Sequence, residues 1–225
     1  MIQTEHQRRA YLEALGIDVW VPRDQPDPVG VDTVQQSDSS AMDWPQLRDT
    51  VASCTQCPLH ESRTQTVFGV GDTEADWLII GEAPGAEEDR RGEPFVGRAG
   101  KLLDEMLRAV GQSRERVFIA NILKCRPPNN RDPKPDEAAA CRHYLERQIE
   151  LIQPKIILAV GRIAAQQLLE TDEPVGRLRG RLHHLDGVPL VVTYHPAYLL
   201  RSPSQKRKAW DDLCLAMNVI AGHTA

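Results

Sequence analysis

Four apolar runs of strand length, separated by helical patterns, limit this chain to a small number of folds. The runs cover residues 76–81, 117–123, 155–161 and 189–194. Near-continuous apolar strands are typical of a parallel sheet that is covered on both faces. The alternation therefore predicts an α/β protein, an open α/β/α sandwich in which helices connect and cover the strands.

The segments that follow the strands are polar, and they meet at one edge of the predicted sheet. The first strand is followed by GEAPGAEEDRRGEPFVG, the second ends at Asn121 before KCRPPNNR, and the fourth is followed by HPAYLLR. In open α/β sheets, ligands bind outside the carboxyl ends of the strands. The sequence therefore predicts a functional site built from these three loops.

The composition favours a cytoplasmic protein without a membrane span. Apolar residues make up 41% of the 225 residues, and no apolar run approaches the ~20 residues that a span needs. Residues 1–16 lack the uninterrupted apolar region of a secretory signal.

Charge is distributed unevenly along the chain, whose net charge is -5. Residues 1–40 carry seven acids and three bases, whereas residues 177–208 carry seven Arg or Lys and a single acid. Such asymmetry can mark a basic face that binds nucleic acid, and ordinary solvated arginines explain it equally well.

The composition also divides the chain into three parts. Residues 8–20, within a front segment of residues 1–22, have the pattern of a short amphipathic helix followed by a turn. Residues 23–42 are rich in Pro, Asp, Ser and Gln, which predicts a flexible linker. The globular domain is expected to cover residues 43–225.

Four of the five cysteines are candidate metal ligands. Cys54 and Cys57 form a C-x-x-C pair before the first strand, and Cys125 and Cys141 lie downstream. Such a set could hold zinc or an iron–sulfur cluster, and spacing alone does not choose between them. A redox dithiol is disfavoured because its motif usually opens a helix directly after a strand. Cys214 lies in an apolar helical pattern and is interpreted as a core thiol.

Four motifs occur in order along the chain, GEAPGAEED, GEPFVG, NILKCRPPNNR and YHPAYLLR. Together with the four cysteines they give the chain a resemblance to a family-4 uracil-DNA glycosylase, the iron–sulfur branch of that superfamily. The resemblance covers about residues 50–220. It implies a four-stranded parallel sheet within the α/β/α sandwich. It also implies a structural [4Fe–4S] cluster on Cys54, Cys57, Cys125 and Cys141.

The resemblance further implies an enzyme that flips uracil out of DNA and hydrolyses its N-glycosidic bond. Phe95 would supply the stacking face for the flipped base. Asn121 offers a donor and an acceptor that match O4 and N3–H of uracil, whereas cytosine presents the opposite pattern. His195 would donate a hydrogen bond to O2 of uracil as negative charge develops there.

The first motif supplies the candidates for activating water. Better-known uracil glycosylases carry an Asp just before the Pro of this motif, where this chain has Ala83. Glu88 is the candidate for positioning the water or stabilising the sugar cation. Glu82 and Asp89 are weaker candidates that could instead shape the pocket or brace the loop. Backbone amides from Gly81 to Gly85 would help to hold the base.

Loops beside the site are expected to contact DNA. The candidates are basic residues for phosphate groups and a wedge of apolar residues that fills the vacated base stack. The basic candidates are Lys124, Arg126, Arg131, Arg177, Arg179, Arg181 and Arg201, and the wedge is Tyr198, Leu199 and Leu200.

The front segment RRAYLEALGIDVWVPR lies outside the glycosylase pattern. It resembles the N-terminal segment of the psi subunit of the bacterial replicative polymerase, which binds the chi subunit. The apolar side chains of residues 8–20 would then dock on chi or a similar replication protein, or the helix would fold back on its own domain.

This second resemblance leaves a rival function, a polymerase accessory that keeps the glycosylase fold without its chemistry. The intact Phe95, Asn121 and His195 argue against it, because an adaptor has no need of them. The covalent uracil-binding branch of the superfamily is disfavoured, since EDRRGEPFVG lacks that branch's inserted basic loop and its His. A monomer is expected.

Overall fold

Six strands form one sheet in the computed structural model, which describes residues 39–222. The strands are β1 (Val70–Gly71), β2 (Trp77–Gly81), β3 (Phe118–Asn121), β4 (Ile156–Val160), β5 (Leu182–Leu185) and β6 (Val188–Thr193). Their order across the sheet is β1-β3-β2-β4-β6-β5. The four inner strands run parallel, and β1 and β5 pair antiparallel at the two edges.

The predicted fold class is confirmed, and so are the four parallel strands. A sheet of four strands in total is wrong, because β1 and β5 extend it at either edge. Neither edge strand forms an apolar run: β1 has two residues, and β5 is the half-exposed sequence LHHL. The β5–β6 turn contains Asp186 and Gly187 at φ of +48° and +85°, the conformation that an Asp-Gly hairpin turn adopts.

Helices lie on both faces of the sheet. They are α1 (Trp44–Ser53), α2 (Ala86–Arg91), α3 (Arg98–Ala109), α4 (Pro135–Ile152), α5 (Arg162–Leu169), α6 (Val175–Leu178), α7 (Pro196–Arg201) and α8 (Lys206–Ile220). Short 3-10 turns cover Ser39–Ala41, Pro58–Glu61, Pro128–Asn130 and Pro203–Gln205. Of the described helices, none is long and apolar enough to span a membrane.

The inner strands are buried on both sides, as their continuous apolar sequence predicts. Successive residues of β2 alternate between two cores. Leu78 and Ile80 belong to the core that contains residues of α1, α4 and α5, whereas Ile79 belongs to the core with residues of α3 and α8. Each such side chain contributes about 1.5–3 kcal/mol on burial, so the sheet is a stable platform for the loops at its edge.

The strand register brings the strand ends together. Gly81 at the end of β2 is opposite Asn121 at the end of β3, and Val160 at the end of β4 is opposite Thr193 at the end of β6. The loops that follow therefore begin side by side at one edge, as the sequence predicts.

The described part of the chain starts within the predicted linker. The Ser39 hydroxyl is buried and donates to the backbone oxygen of His143 in α4, at 3.1 Å. Four residues later Asp43 caps α1, since its carboxylate accepts from the Gln46 N–H at 3.0 Å and the Gln46 side chain accepts from the Asp43 N–H. The predicted interaction segment, residues 1–22, lies outside the described residues.

Candidate active site

A cleft of about 890 Å³ opens at the carboxyl ends of the parallel strands. Its walls come from the loop after β2, from Asn121 at the end of β3, and from His195 after β6. Gly161 and Arg162, directly after β4, complete it. A second groove of about 650 Å³ lies between α4 and the β5–β6 hairpin, and the predicted site residues do not line it.

The Phe95 ring forms one wall of the cleft and stacks on the His195 ring, with centroids 5.5 Å apart and planes at 28°. The Phe95 backbone has a φ of +54°, which is rare for a bulky residue. Arg114 holds it there by donating to the carbonyls of Pro94 (2.6 Å) and Phe95 (3.1 Å) while pairing with Asp104 (3.0 Å). Strain that the surroundings maintain in this way is typical of functional positions.

Two glycines let the Phe95 segment approach the sheet. A Cβ at Gly81 would lie 2.4 Å from Oδ1 of Asn121 and 2.7 Å from the Phe95 ring. A Cβ at Gly100 would lie 1.7 Å from the Phe95 carbonyl oxygen. Position 81 is therefore restricted to glycine, because the side chains of Asn121 and Phe95 leave no room for a Cβ there.

Asn121 presents an unused hydrogen-bond acceptor. The residue is 2% exposed, and its Oδ1 has no hydrogen-bond partner among the described residues. Buried polar groups are nearly always paired, and leaving one unpaired costs about 1–3 kcal/mol. The backbone is firmly held, since Asn121 pairs with Gly81 in the sheet and its carbonyl accepts from Nζ of Lys124 at 2.9 Å. A fixed, unsatisfied acceptor on a cleft wall is ready for a donor from a ligand.

His195 is held as a neutral imidazole with a defined tautomer. It is the N-cap of α7, and its Nδ1 accepts from the Ala197 N–H at 3.1 Å. Because Nδ1 is the acceptor, the ring proton is on Nε2, which is a donor. Burial lowers the pKa of His195 to about 4, with the positive charge of Arg201 lowering it further and Glu88 opposing the shift. The ring therefore donates without being charged at neutral pH.

Glu88 links α2 to the start of α3. Its Oε1 accepts from the N–H groups of Val96 (3.0 Å) and Gly97 (3.2 Å), which precede α3 and have no other side-chain cap. A carboxylate at a helix N-terminus is favourable because the exposed N–H groups carry partial positive charge. Glu88 also lines the cleft, so its negative charge lies beside whatever the cleft holds.

The other acids of the first motif have different positions. Glu82 lines the cleft, and its pKa is raised by burial and by the nearby Asp132. Asp89 is 3% exposed, and its carboxylate accepts from the Thr64 N–H at 2.9 Å. Asp89 thus braces the loop, one of the two alternatives expected for it. Ala83 and Gly85 lie along the cleft wall.

The four predicted cysteine ligands line one small pocket of about 10 Å³, between α1 and α4. Its walls are apolar, and three N–H groups point at sulfur. Arg63 donates to Cys125 Sγ at 3.1 Å, the Lys124 backbone donates to Cys141 Sγ at 3.3 Å, and the Leu59 backbone donates to Cys57. Burial raises the pKa of Cys57 and Cys125, and raises that of Cys141 to about 12. Within residues 39–222 no three ligand side chains converge closely enough for a single metal ion.

Three of the residues predicted to contact DNA face inward in this structure. Lys124 is 1% exposed and Leu199 is 1% exposed, so neither reaches a DNA strand. Arg179 forms a two-point ion pair with the buried Asp212, at 2.7 and 3.0 Å, and its charge is used there. These side chains face inward because each packs in the protein interior or pairs with a residue that is distant in the sequence.

The remaining DNA candidates lie at the surface around the cleft. Tyr198 and Leu200 are 36% and 38% exposed, and Arg201 is exposed at the end of α7. Arg131 lines the cleft and pairs with Glu137, while Arg126 donates to Asn130 at 2.8 Å. Tyr198 and Leu200 are thus exposed on α7 beside the cleft, whereas Leu199 between them is turned inward.

Two features of the cleft, an ion pair and a pair of tyrosines, were not predicted from the sequence. Arg162 pairs with Asp132 at 2.5 Å, and both line the cleft. Tyr194, directly before His195, packs on Tyr198 with ring centroids 5.0 Å apart. A signal for Arg162 was present, because it follows the third apolar run and so lies at the same sheet edge as the other loops.

Comparison with known proteins identifies the family. A family model described as the uracil DNA glycosylase superfamily matches residues 68–214, which include the cleft and two of the four pocket cysteines. The chain belongs to this superfamily. The matched range includes both the motif of Asn121 and that of His195, so the superfamily's model covers the whole cleft wall described above.

Curated relatives place the chain within a branch of this superfamily. It is 44% identical to a type-4 uracil-DNA glycosylase of Archaeoglobus fulgidus, over 72% of this chain and 85% of that protein. It is 47% identical to a type-4 enzyme of Thermotoga maritima, over 71% of this chain and 84% of that protein. A type-5 enzyme of Thermus thermophilus is 36% identical over 46% of this chain and 53% of that protein. The predicted resemblance to family 4 is confirmed.

Proposed function

We propose that this protein is a uracil-DNA glycosylase that flips uracil out of DNA and hydrolyses its N-glycosidic bond, the first step of base excision repair. The observation that carries the proposal is the buried, unpartnered Oδ1 of Asn121 beside the stacked Phe95 and His195 rings. A flat base with a polar edge fits a wall that combines an aromatic face with one fixed amide. Family membership adds independent support.

Recognition of uracil would rest on the Asn121 amide. Oδ1 accepts from N3–H of uracil, and the amide N–H donates to O4. Cytosine has an acceptor at N3 and a donor at C4, so both contacts would be reversed. A site built to pair a specific donor and acceptor can reject the mismatched base by about 10⁴–10⁵-fold.

Cleavage would depend on stabilising the uracil anion as it leaves. His195 donates from Nε2, and its neutral state at pH 7 suits a group that contributes a hydrogen bond without transferring a proton. A preorganised donor of this kind stabilises developing charge by about 2.7–4 kcal/mol. Because Nδ1 is already used by the Ala197 N–H, the ring cannot rotate away freely.

The pH dependence follows from the lowered pKa of His195. Since its pKa in the folded protein is about 4, we expect the titration of this residue to leave uracil release unchanged from pH 8 to pH 5. Release then falls as the pH passes below 4. Between about pH 6.5 and pH 4 the unfolded chain binds a proton that the folded one does not, so this residue makes the fold less stable as pH falls. If the pH–rate profile of the wild type shows a break near pH 6.5, and that break disappears in His195→Leu, the assignment is contradicted.

The water nucleophile is proposed to lie near Glu88. Oε1 of this carboxylate is held by Val96 and Gly97, which leaves Oε2 as the oxygen available to a water or to the sugar cation. A fixed negative charge beside an oxocarbenium-like sugar is favourable, since unit charges about 6 Å apart interact by about 3 kcal/mol at an effective dielectric of about 20.

Glu88→Gln tests the charge while preserving the oxygen that caps α3. We expect uracil release to slow by about 10–100-fold with little change in melting temperature, because one unit charge is lost and the loop contacts remain. Glu87→Gln is the matched control, since Glu87 is exposed and pairs with Arg90 and Arg91 on the helix surface. Full activity in Glu88→Gln would show that Glu88 serves the loop alone.

We propose that the four pocket cysteines hold a [4Fe–4S] cluster, as the type-4 family implies. The cysteines line one pocket without converging on a point, which suits a cluster whose irons each take one thiolate. The N–H groups of Arg63 and Lys124 would stabilise the thiolate charge. When bound, the cluster supplies a cross-link between α1, α4 and the end of β3, and no reaction chemistry.

Loss of the cluster is expected to destabilise the fold. Cys125→Ala should abolish the visible absorption of the purified protein and lower its melting temperature by about 10 °C, since a cross-link contributes about 2–4 kcal/mol and each kcal/mol shifts Tm by about 2–4 °C at this size. Cys214→Ala on α8 is the control and should keep iron and stability. Iron-free wild-type protein should melt at about the temperature of Cys125→Ala; iron-free protein that melts at the temperature of iron-loaded wild type contradicts the proposal.

DNA would approach along the rim formed by Tyr198, Leu200 and Arg201. Of the basic residues in 177–208, Arg179 and Arg181 are paired with Asp212 and Glu173. The others have no ion pair within the described residues and are free for phosphate: Arg177, Arg201, Lys206, Arg207 and Lys208. An exposed aromatic and an apolar side chain beside such charges fit a strand whose stack is being opened.

The proposed function is tested by uracil release from a single-uracil oligonucleotide, paired with G, paired with A, and single-stranded. Release of free uracil and an abasic product by purified, brown protein is the expected result. Absence of release from protein with full iron content would overturn the enzyme assignment.

The front segment carries a separate proposal, that residues 8–20 bind the chi subunit of the replicative polymerase. It rests on the sequence resemblance alone. A pull-down of purified chi with the full chain, compared with a chain that starts at residue 23, tests it. Equal capture by both chains would refute the proposal and leave glycosylase activity unaffected.

A further inference from the structure

We infer that Lys124 is a positioning residue: its ammonium fixes the turn after Asn121 and ties the base-reading amide to α4 and to the cysteine pocket. The inference rests on the proposed function and deepens it. From the sequence alone, Lys124 is expected to contact a DNA phosphate, because it is a basic residue in a loop. Since Lys124 is buried in the structure, it must have a different role.

The ammonium lies inside the protein with two acceptors. Lys124 is 1% exposed, and Nζ donates to the Asn121 carbonyl oxygen at 2.9 Å and to Oε1 of Gln148 at 2.6 Å. Burial lowers the pKa of Lys124 to about 8. In a low-dielectric interior the two short hydrogen bonds from Nζ are strong and hold the group in place.

The contact acts where the sheet ends. The N–H groups of Ile122 and Leu123 still pair with the carbonyls of Gly81 and Glu82, but the Asn121 carbonyl turns to Lys124. The direction of the Asn121 backbone, and with it the aim of its side chain into the cleft, is thus set by Nζ.

The same residue contacts the cysteine pocket through its backbone. The Lys124 N–H donates to Cys141 Sγ at 3.3 Å, and its neighbours Leu123 and Cys125 line the pocket. On the other side, Nε2 of Gln148 donates to the Phe68 carbonyl at 2.9 Å. The Asn121 turn is therefore connected to α4, to the segment before β1 and to the pocket by one buried polar network.

If this network positions Asn121, removing the Lys124 ammonium should slow uracil release without weakening DNA binding. Misplacement of a reacting or recognising group by about 1 Å can slow a reaction by about 10²-fold. Removing the ammonium leaves DNA-facing residues in place, because Lys124 lies below the cleft surface. We therefore expect the chemical step to slow while affinity for DNA is kept.

The test uses the iron-loaded full chain and three changes. Lys124→Met, close in length and uncharged, should lower the single-turnover rate of uracil release by about 10–100-fold per iron-loaded molecule. Gln148→Met should do the same, whereas Gln148→Glu keeps an oxygen for Nζ but loses the donor to the Phe68 carbonyl, and should be slowed less than Gln148→Met. The double change Lys124→Met with Gln148→Met should be no slower than either alone, since the two groups act through one contact.

Two further measurements separate positioning from general damage. Binding to an undamaged duplex of the same sequence should change by less than about twofold, and visible absorption reports the iron content of each variant. Lys155→Met is the matched control, because Lys155 is exposed and pairs with Asp76 at 2.9 Å. If Lys124→Met does not fold, the comparison of Gln148→Met with Gln148→Glu tests the inference by itself.

Each outcome counts for or against the inference. Wild-type rates in iron-loaded Lys124→Met, or additive effects in the double variant, overturn it while the proposed function stands. A rate loss that only follows iron loss or duplex binding also overturns it. If wild-type protein releases no uracil, the proposed function fails and the inference falls with it.

Discussion

Replacing Asn121 with leucine lowers the rate of uracil release by about 10²–10⁴-fold, because O4 and N3–H of the bound base each lose a partner worth about 1–3 kcal/mol. Leucine has nearly the same shape, so the cleft wall beside Phe95 stays filled. The measurement is the single-turnover rate on a duplex with one uracil. Affinity for undamaged DNA should remain that of wild type, since Asn121 is 2% exposed on the cleft wall, where a stacked base would not reach it.

Asn218→Leu serves as the control for this change, because Asn218 is an exposed residue of α8 away from the cleft. It should release uracil at the wild-type rate. A rate for Asn121→Leu within about threefold of wild type would falsify the assignment of Asn121 as the base-reading residue, since even one lost contact is expected to cost more than that.

Replacing His195 with leucine is expected to slow uracil release by about 10²–10³-fold, the effect of removing one preorganised donor from a developing anion. The change also removes the N-cap of α7, which contributes about 1 kcal/mol to stability. His195→Ser separates the two effects, because a serine hydroxyl can cap the helix but is too short to reach the base. Both variants should be slow, and only the leucine variant should melt earlier.

His184→Leu is the matched histidine control, since His184 is exposed on the edge strand β5. The KM for duplex DNA should stay close to the wild-type value in all three histidine variants, because the His195 contact strengthens only as charge develops. Rapid release by His195→Ser would place the donor elsewhere in the cleft.

The sequence predicts the parts of this molecule that repeat a simple pattern. The four inner strands and the helix of residues 134–152 follow from apolar periodicity, and observed boundaries differ by one or two residues at most positions. The convergence of Phe95, Asn121 and His195 follows from the rule that loops after parallel strands share one edge. The edge strands are missed because a two-residue strand and a half-exposed LHHL sequence carry no such pattern.

Side-chain direction is the part that the sequence does not predict. The sequence KCRPP suggests that Lys124 is a surface charge, but its ammonium has two buried partners, the Asn121 carbonyl and, 24 residues later on α4, Gln148. Arg179 is similar, because its partner Asp212 comes from the last helix. Leu199 and Leu200 are adjacent and equally apolar, yet one is 1% and the other 38% exposed. These outcomes depend on contacts between distant segments, which periodicity does not encode.

The Oδ1 of Asn121 receives no hydrogen bond from the described residues, so the fold spends none of its own donors on this acceptor. A protein donor at this atom would contribute about 0.5–1.5 kcal/mol, a noticeable part of the 5–15 kcal/mol typical of a folded domain. The fold forgoes that contribution and keeps the acceptor for a donor that comes from outside. Recognition of a base and maximal stability are therefore opposed at this one atom.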